Sequence, residues 1–384
     1  MTPSRQISVD DLLNKTTFPV PLKDEFDELQ ENDRKRSGIT SDLTMSQGRR
    51  HNDEKNGKLN LRKDILPYDQ TRVKLKSTIN GIDYINASWI QKVGRGNIYD
   101  DLYEFQTTSK MNFIVTQDPT SDTEEHFYQM IFEQNVDIIV SIGSNDNLSR
   151  WQKLAYNNLS KKLVERVMLD KKVIREKITI MVNQGTLVNS HQTTAYYFTT
   201  WPSNDQFHQT DSENLLTLIR LIQRDIGKPE KVVTIVSHDP SGGVEGASSF
   251  LVLFQMLQEL DTKLKVRRKG LMDISRERKI EYINVFEKVD GMRRHRAHMV
   301  SSFSNYKFIF STLAYYAKNK STFDKIQSTM ATVIKKEHNQ ETRRPENQLQ
   351  KEESQLIFEE EYALSSEEEE EVIRNNSDSD IYVN

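Results

Sequence analysis

The alternation of hydrophobic and polar residues along the chain predicts a mixed α/β fold. Apolar residues at helical spacing predict short helices over residues 7–15 and 22–31. Short apolar runs predict strands, and a turn-poor, β-branched stretch between residues 161 and 200 predicts antiparallel strands. The predicted strands lie around residues 85–90, 113–116, 136–140, 164–168, 178–182, 196–200 and 232–236.

Several helices are predicted between and after these strands. Residues 121–124 and 210–213 have the Ser/Thr-x-x-Glu spacing of a capping box, which marks a helix start. The first helix is predicted to run to residue 135, and the second to stop at Gly227 and Pro229. Further helices are predicted over residues 248–260, 277–289 and 296–319. The predicted inward faces are Phe127, Met130, Ile131 and Gln134 in the first helix, and Leu215, Leu218, Ile219 and Ile222 in the second.

Charge divides the chain into a mildly basic body and an acidic tail. Residues 341–384 contain 14 Asp and Glu and 4 Lys and Arg, a net charge of −10, whereas the whole 384-residue chain carries −4. Residues 1–340 therefore carry +6. We predict an N-terminal segment (1–20), one α/β domain (21–318), a helical extension (319–340) and a disordered acidic tail (341–384).

Composition excludes several classes of protein. The chain has no cysteine, which rules out disulfides, cysteine-based zinc sites and thiol catalysis. No apolar run approaches the roughly 18 residues of a membrane span, and the N-terminus lacks the apolar core of a signal peptide. We therefore expect a soluble, cytoplasmic protein that neither spans a membrane nor is secreted through a signal peptide.

Residues 236–247, with the sequence V-S-H-D-P-S-G-G-V-E-G-A, are the most informative part of the chain. An apolar strand, a glycine-containing loop and a helix start form a layout that binds phosphate, because free backbone N–H groups and the helix dipole favour an anion. The loop nevertheless carries two carboxylates, Asp239 and Glu245. It has the architecture of a phosphate site and the opposite charge.

Six motifs, in order along the chain, resemble those of the protein tyrosine phosphatase family. They are D-I-L-P-Y-D-Q-T-R-V at 64–73, D-Y-I-N-A-S-W-I at 83–90, F-I-V-T-Q-D-P at 113–119, F-E-Q-N-V at 132–136, T-W-P at 200–202, and M-V followed by Tyr306 at 299–306. The resemblance implies one tyrosine-phosphatase-like domain over residues 21–318, with a highly twisted mixed β-sheet flanked by helices.

The same resemblance implies that the residues of the chemistry have been replaced. Asp239 stands at the position of the nucleophilic cysteine, and Glu245 at that of the phosphate-binding arginine. The general-acid position is Ser203, and the position of the water-orienting glutamine is Ser301. The tyrosine that stacks on the substrate ring falls at Arg62. None of these positions retains a residue suited to the family's reaction, so no functional catalytic residue is expected.

These replacements predict a catalytically inactive protein that acts by binding. One alternative is a phosphotyrosine reader, or substrate-protecting protein, that retains weak anion affinity through a vestigial pocket rim of Arg62, His238 and Arg293. A minor alternative is an enzyme of altered chemistry that uses Asp239 as a nucleophile.

An intact scaffold with replaced chemistry is similar to the tyrosine phosphatase-like proteins of bracoviruses, the symbiotic viruses of parasitoid wasps. The likeness implies a viral factor that interferes with immune-cell signalling in the host cytoplasm. Its partners would be host signalling proteins, cytoskeletal proteins or phosphatase substrates. We expect no nucleic-acid partner, no cofactor and no metal ion.

The singled-out residues also have structural interpretations. His238 is interpreted as a hydrogen-bonded residue at a strand end, and Asp239 as a helix cap rather than a cation ligand together with Glu245. Arg293, Arg294 and Arg296 are predicted near the pocket rim as surviving anion contacts. A basic cluster is interpreted as a solvated loop, although it also suits an acidic peptide, a lipid or a nuclear import receptor. Its members are Lys265, Arg267, Arg268 and Lys269.

Overall fold

The computed structural model describes the greater part of the chain. The described residues are 6–14, 21–36, 45–46, 49, 59–79, 81–90, 112–143, 159–170, 173–184, 187–202, 206–226, 231–238, 244–272 and 280–341. The chain divides into two compact units, Met1–Asp324 and Lys325–Asn384. Of the second unit the structure describes residues 325–341, which are helical.

Ten strands form two sheets within the described residues. In chain order they are β1 (Ile7–Ser8), β2 (Arg72–Ile79), β3 (Ile82–Ile90), β4 (Asn112–Gln117), β5 (Val136–Gly143), β6 (Leu159–Asp170), β7 (Val173–Gln184), β8 (Leu187–Phe198), β9 (Val232–His238) and β10 (Tyr282–Ile283). The large sheet has eight strands in the order β2-β3-β4-β9-β5-β8-β7-β6, and β1 pairs with β10 in the small one. The four central strands, β4, β9, β5 and β8, are parallel, and the flanking pairs are antiparallel.

Helices flank the large sheet. They are α1 (Val9–Asn14), α2 (Leu22–Arg36), α3 (Glu124–Glu133), α4 (Gln209–Ile226), α5 (Glu245–Met272), α6 (Val285–His295) and α7 (Phe303–Glu341). α7 leaves helical geometry at Asn319, where φ is −111° and ψ is 17°. No helix of the described part is long and apolar enough to cross a membrane.

β9 lies at the centre of the sheet and explains the position of the candidate site. It pairs in parallel with β4 on one side and β5 on the other. Val233, Ile235 and Val236 are buried, because helices cover both faces of a parallel sheet. Ligands of such sheets bind beyond the carboxyl ends of the strands. α5 is the next element in the chain after β9 and begins at Glu245, seven residues after His238.

The architecture confirms the predicted fold class, a twisted mixed sheet flanked by helices. The predicted strands 113–116, 136–140 and 178–182 lie within β4, β5 and β7, and the predicted antiparallel pairing of β6, β7 and β8 is correct. β2 is missing from the predicted strands. Its signal is the alternation of buried Val73 and Leu75 with exposed Lys74 and Lys76.

Two predicted helix starts are wrong in detail: the start of the helix at residues 7–15 and the start of α3. Ile7 and Ser8 form a strand opposite Ile283 and Tyr282, so the helix predicted over residues 7–15 begins only at Val9. α3 begins after Thr123 rather than after Ser121. The hydroxyl of Thr123 accepts a hydrogen bond from the backbone of Thr120, at 2.8 Å, and makes no cap bond to the helix.

The second predicted capping box also differs in register. α4 begins at Gln209, one residue before the predicted cap Thr210. Asp211 supplies the side chain that reaches back, accepting from the backbone N–H of His208 at 2.7 Å. The predicted inward face of this helix is confirmed, since Leu215, Leu218, Ile219 and Ile222 are fully buried. Gly227 and Pro229 lie outside the described residues.

The C-terminal helices are longer than predicted or shifted along the chain. α5 continues to Met272, so the interpretation of residues 265–269 as a loop is wrong. α6 covers Val285–His295 rather than 277–289. The domain boundaries at residues 20, 318 and 340 stay predictions, and the acidic tail beyond residue 341 lies outside the described residues.

We expect Ile235→Ala to lower the free energy of unfolding by about 2–5 kcal/mol, because it removes buried volume at the centre of the sheet. Urea unfolding followed by circular dichroism measures the change. Val266→Ala, at an exposed position of α5, is the control and should change stability by no more than about 0.5 kcal/mol. Equal effects of the two variants would contradict the central position of β9.

Candidate functional site

The candidate site lies where β9 ends and α5 begins. Residues 239–243, including Asp239, lie outside the described residues, as does Ser203. The backbone of His238 pairs with Gly143 of β5, which agrees with its interpretation as a strand-end residue but says nothing of its side chain. The described chain resumes at Val244, and Glu245 is the first residue of α5.

Glu245 and Ser301 meet at this edge, although 56 residues separate them in the chain. Oε1 of Glu245 accepts a hydrogen bond from the backbone N–H of Ser301 at 2.8 Å and a second one from the Ser301 hydroxyl. Hydrogen bonds to an ionised carboxylate are stronger than neutral ones. The structure therefore brings two of the predicted site residues into direct contact.

The chain preceding Ser301 is held in an unusual conformation. His298 and Val300 have positive φ values of 62° and 54°, a region that β-branched residues rarely adopt. The backbone N–H of Val300 donates to Ser248 Oγ at 3.0 Å, and the Ser248 hydroxyl donates to the carbonyl of Glu245 at 2.9 Å. Such a conformation persists when surrounding contacts determine it. These bonds link the loop to the first turn of α5.

Gln30 of α2 supports the same loop. Its Nε2 donates to the carbonyl of Ser301 at 2.9 Å. Two residues of α2 make related contacts, since Glu25 accepts from the hydroxyl of Tyr306 at 2.8 Å and Asp33 pairs with Arg293. The sequence reasoning missed these residues. The sequence does contain one sign of these contacts: Asp33 lies on the apolar helix face that Phe26 and Leu29 define. A polar residue on such a face indicates a buried partner.

Arg293 does not lie at a pocket rim, and that prediction is wrong. The side chain is fully buried. Its Nε donates to the carbonyl of Met299 at 2.8 Å and its Nη2 to that of Val300 at 2.6 Å, while Nη1 lies 3.0 Å from Asp33. Burial lowers the pKa of Arg293 and raises the pKa of Asp33, because both charges have left water.

The rim prediction is also wrong for Arg296, whereas it stays a prediction for Arg294, whose side chain is 31% exposed. Arg296 is fully buried, and burial lowers its pKa to about 10, so it remains charged at neutral pH. It donates to Asn86 Oδ1 at 2.6 Å and to Ser88 Oγ at 3.0 Å. Arg294 pairs with Asp290 on its own helix, at 3.2 Å. Arg293 and Arg296 are therefore bound inside the fold, and Arg294 is paired with a carboxylate of its own helix.

Arg62 lies at the surface and is paired within its own segment. Its Nε donates to Asp64 Oδ1 at 2.9 Å, and its side chain is 41% exposed. This hydrogen bond lowers the pKa of Asp64. An exposed ion pair of this kind contributes only about 0–1 kcal/mol, so Arg62 can exchange partners at low cost.

The segment that carries Arg62 is positioned by residues of the shared motifs. Gln117 donates to the carbonyl of Leu59 at 3.0 Å and accepts from the backbone N–H of Leu61 at 3.1 Å. Asn60 Oδ1 accepts from the Tyr84 hydroxyl at 2.7 Å and from Asn86 at 2.9 Å. The motif residues thus hold residues 59–61 against β3 and β4.

The segment before Ser203 is anchored by its aromatic neighbours. The backbone N–H of Trp201 donates to the carbonyl of Gly143 at 2.9 Å, and its ring contacts Phe207 and Phe308 edge-on. Phe207 and Phe308 stack with centroids 4.2 Å apart. Gly246 lies beneath this group.

A side chain at position 246 would not fit. A Cβ atom on Gly246 would come within 2.8 Å of Ile142 Cγ2 and 3.5 Å of the Trp201 ring. The start of α5, the end of β5 and the Trp201 segment therefore pack without spare volume.

The described residues offer limited chemistry at the site. They present a carboxylate at a helix N-terminus, which the backbone N–H and the hydroxyl of Ser301 hold. The described part of the chain contains no group of three or more His, Cys, Asp or Glu residues that could hold a metal ion. The arrangement resembles an anion site whose donors already bind a carboxylate of the protein itself.

Comparison with known proteins shows the family to which the chain belongs. Residues 56–315 match the family model described as protein-tyrosine phosphatase. Receptor-type tyrosine-protein phosphatase eta of Homo sapiens is 25% identical over 256 residues, which are 64% of this chain and 16% of that protein. Tyrosine-protein phosphatase 99A of Drosophila melanogaster is 27% identical over 294 residues, 72% of this chain and 19% of its own length.

Two further likenesses agree. Tyrosine-protein phosphatase 1 of Schizosaccharomyces pombe is 24% identical over 274 residues, which are 68% of this chain and 44% of that protein. The catalytic domain of human protein tyrosine phosphatase non-receptor type 18 superposes with a TM-score of 0.57 at 19% identity, over 77% of this chain and 96% of that domain. The chain matches about one sixth of the length of the receptor-type relatives.

We expect Ser301→Ala to lower the free energy of unfolding by about 1.5–3 kcal/mol, because Glu245 loses a hydrogen bond to its charged carboxylate. Thermal and urea unfolding measure the change. Ser304→Ala, on the first turn of α7, is the control and should stay within about 0.5 kcal/mol of the parent. If both variants are neutral, the contact between Glu245 and Ser301 does not form in solution.

We expect the free energy of unfolding of His298→Asn to decrease less than that of the parent when the pH is lowered from neutral to mildly acidic. Burial lowers the pKa of His298 below its ordinary value of 6.5, although Asp33 and Asp64 act in the opposite direction. Below about pH 6.5 the histidine is protonated more readily in the unfolded chain than in the folded protein. The free energy of unfolding therefore decreases as the pH is lowered. Asparagine tolerates the positive φ and does not titrate.

Urea unfolding at neutral and mildly acidic pH tests this expectation. The parent should lose more stability than His298→Asn as the pH falls. Identical slopes for the two proteins would show that His298 keeps its ordinary pKa.

Proposed function

Because the chain belongs to the protein-tyrosine phosphatase family, we propose that it is a catalytically inactive member that acts by binding other proteins. The proposal rests on the identity of the residues at the positions of the family's chemistry. Asp239, Glu245, Ser203 and Ser301 stand where the family has its nucleophile, phosphate-binding arginine, general acid and glutamine.

The contact between Glu245 and Ser301 is the observation that carries the proposal. Both residues occupy positions that in an active member would face the phosphoryl group or its attacking water. Here the carboxylate accepts the N–H and O–H donors of Ser301. The residues at these two positions therefore satisfy one another, which supports the loss of phosphoryl binding.

Electrostatic magnitudes support the same conclusion. Replacing a guanidinium by a carboxylate changes the charge at position 245 by two units. A carboxylate 5 Å from a phosphate dianion costs on the order of 3 kcal/mol per charge pair at an effective dielectric near 20. The helix dipole offsets only about 0.3–2 kcal/mol of this. Phosphate binding is therefore disfavoured even before the lost arginine hydrogen bonds are counted.

A phosphotyrosine reader is the second candidate function, and Arg62 is the residue that favours it. Its side chain is 41% exposed, so it can meet an anion from solution. Arg293, the other cation of that hypothesis, is fully buried and bound to carbonyls and Asp33. The balance favours phosphate-independent binding. Chemistry through Asp239 ranks third, because Glu245 stands at the position of the phosphate-binding arginine.

We place the biological role with the bracovirus tyrosine phosphatase-like proteins, whose pattern of replaced residues on an intact scaffold is similar. In this proposal the protein acts in the host-cell cytoplasm and interferes with immune-cell signalling. Its partners are host signalling proteins, cytoskeletal regulators or phosphatase substrates. Capture of the same insect haemocyte proteins with and without vanadate would support an interaction surface outside the pocket, and loss of capture with vanadate would favour the reader.

The direct test of inactivity is turnover. The purified full chain should release no phosphate from phosphotyrosine peptides, and calorimetry with inorganic phosphate should show no heat of binding. Measurable turnover that Asp239→Asn abolishes would contradict the proposal and support altered chemistry.

Restoring the replaced positions should recover anion binding. We expect the double variant Asp239→Cys/Glu245→Arg to bind vanadate or phosphate, because it removes the carboxylate and returns the bidentate donor. Efficient turnover should not return while Ser203 remains at the acid position. The readout is a ligand-dependent rise in melting temperature.

A matched control carries the Glu-to-Arg substitution elsewhere on the same helix. Glu259→Arg, about 20 Å along α5 from Glu245 by helix rise, should show no such rise. A vanadate response in the control, or none in the double variant, would mean that the pocket has lost more than its charges.

A further inference from the structure

Residues 6–14 form a short segment that adds a strand and a helical turn to the folded body. β1 pairs with β10 in antiparallel register, and α1 follows it and lies against α5. The family match covers residues 56–315, so this segment precedes the part of the chain that is shared with the phosphatases. Its contacts are therefore separate from those of the family's motifs.

Three apolar side chains anchor the segment. Ile7 and Val9 are 1% exposed, and Leu12 is fully buried. The backbone N–H of Val9 donates to the carbonyl of Glu281 at 2.9 Å, which continues the two-residue ladder between β1 and β10. The anchors and the ladder lie within six consecutive residues, Ile7 to Leu12.

An ion pair and a helix cap add directional contacts. Oδ1 of Asp10 lies 2.7 Å from Nη2 of Arg267 on α5. The hydroxyl of Ser8 accepts from the backbone N–H of Asp11 at 3.0 Å, so the strand changes into α1 at this residue. Strand addition, apolar anchors and a matched charge within one short peptide are the features by which proteins recognise linear peptides.

The surface that receives the segment belongs to the folded body. Lys263 of α5 donates to the carbonyl of Tyr282, which holds β10 on this helix. Ile283 is buried, and Asn284 caps the helix α6 that follows. We call Lys263, Arg267, Tyr282 and Ile283 the α5–β10 surface. Removing the segment would leave the ladder groups of β10 open to another strand.

Docking of the segment is weak compared with folding of the domain. α1 has six residues, and so short a helix is not stable by itself in water. The entropy cost of ordering nine residues opposes the burial of three side chains. A tethered segment nevertheless competes with any other peptide, because its effective concentration at the surface is high.

We infer that the α5–β10 surface is a docking site for a peptide of another protein, and that residues 6–14 occupy it as a built-in competitor. The segment defines the chemistry of the partner peptide. It has two apolar residues of an extended strand on either side of a serine or threonine, then an acidic residue for Arg267 and a leucine.

The α5–β10 surface is remote from the candidate site at the other end of α5. Arg267 lies about 33 Å along the helix from Glu245, by a rise of 1.5 Å per residue. Peptide docking at this surface therefore does not depend on the loss of catalysis at Glu245.

Fluorescence anisotropy with a labelled peptide of residues 6–14 tests the inference on the full chain. Ile7→Asp/Leu12→Asp removes two anchors of the tethered segment and leaves the α5–β10 surface unchanged. This variant should bind the peptide at least about tenfold more tightly than the parent, because the surface of the parent is already occupied. Equal affinities, or no binding to the folded variant, would overturn the inference.

Two controls establish where the peptide binds. A peptide that carries the same two aspartates should bind neither protein. Adding Arg267→Glu to the double variant should weaken the parent peptide by on the order of tenfold, and a peptide with Asp10→Lys should recover the affinity. Unchanged binding after Arg267→Glu, or a loss without recovery, would place the peptide on another surface and overturn the inference.

Hydrogen exchange in the parent provides a second test, which holds even if the double variant does not fold. The amide of Val9 should exchange at least about 100-fold faster than that of Ile235 in β9, because the segment leaves while the domain stays folded. Equal rates would show that the segment leaves only on global unfolding, which would overturn the inference.

Sedimentation of the parent distinguishes another protein from a second copy of this chain. The parent should remain monomeric as its concentration rises. A concentration-dependent dimer that Ile7→Asp/Leu12→Asp abolishes would overturn the assignment to another protein, because two copies would then exchange their own segments.

Discussion

The buried guanidinium of Arg293 is the constraint on which the geometry of the candidate site depends. A charge removed from water needs several hydrogen-bonding partners, and Arg293 finds them in Asp33 and in the carbonyls of Met299 and Val300. Drawing these carbonyls inward fixes the chain in a conformation with positive φ at Val300. The next residue then turns its N–H and hydroxyl towards Glu245. An ion pair between α2 and α6 thus determines what the first residue of α5 can contact.

The motif residues shared with the tyrosine phosphatases perform structural work that does not require catalysis. Asn86 joins Asn60 on one side and Arg296 on the other, and Gln117 clasps the backbone of Leu59 and Leu61. Each of these groups is buried or nearly so, and removing one would leave its partners unsatisfied. The physical cost of losing them is the same in an enzyme and in a binding protein. Selection for folding alone is sufficient to keep them.

The sequence predicted the fold well where the pattern was local. The apolar run of β9 and the helical face of α4 follow from periodicity, because burial on one or both faces leaves a direct trace in residue order. β1 could not be predicted, since two residues become a strand only through pairing with Ile283 and Tyr282 far along the chain. The start of α3 differs from the predicted capping box at Ser121. The hydroxyl of Thr123, the residue before the helix, accepts from the backbone N–H of Thr120.

The sequence could name candidate residues for the site but not their geometry. Motif order located Glu245, Ser301 and Arg62, but a motif does not reveal which arginine is buried. The sequence therefore predicts Arg293 and Arg296 at the rim, because it does not indicate the acceptors that bury them. The mutual contact of Glu245 and Ser301 depends on the path of the chain between them.

That contact also bears on how the protein could have evolved. Glu245 contributes to the field that stabilises the charge of Arg293, and Ser301 satisfies the carboxylate that does so. A substitution of Glu245 alone would take away a counter-charge of Arg293 and leave Ser301 without its acceptor, whereas a substitution of Ser301 alone would remove a donor from Glu245. Each residue therefore satisfies a polar group of the other. A single substitution at either position therefore lowers stability unless the other position changes with it.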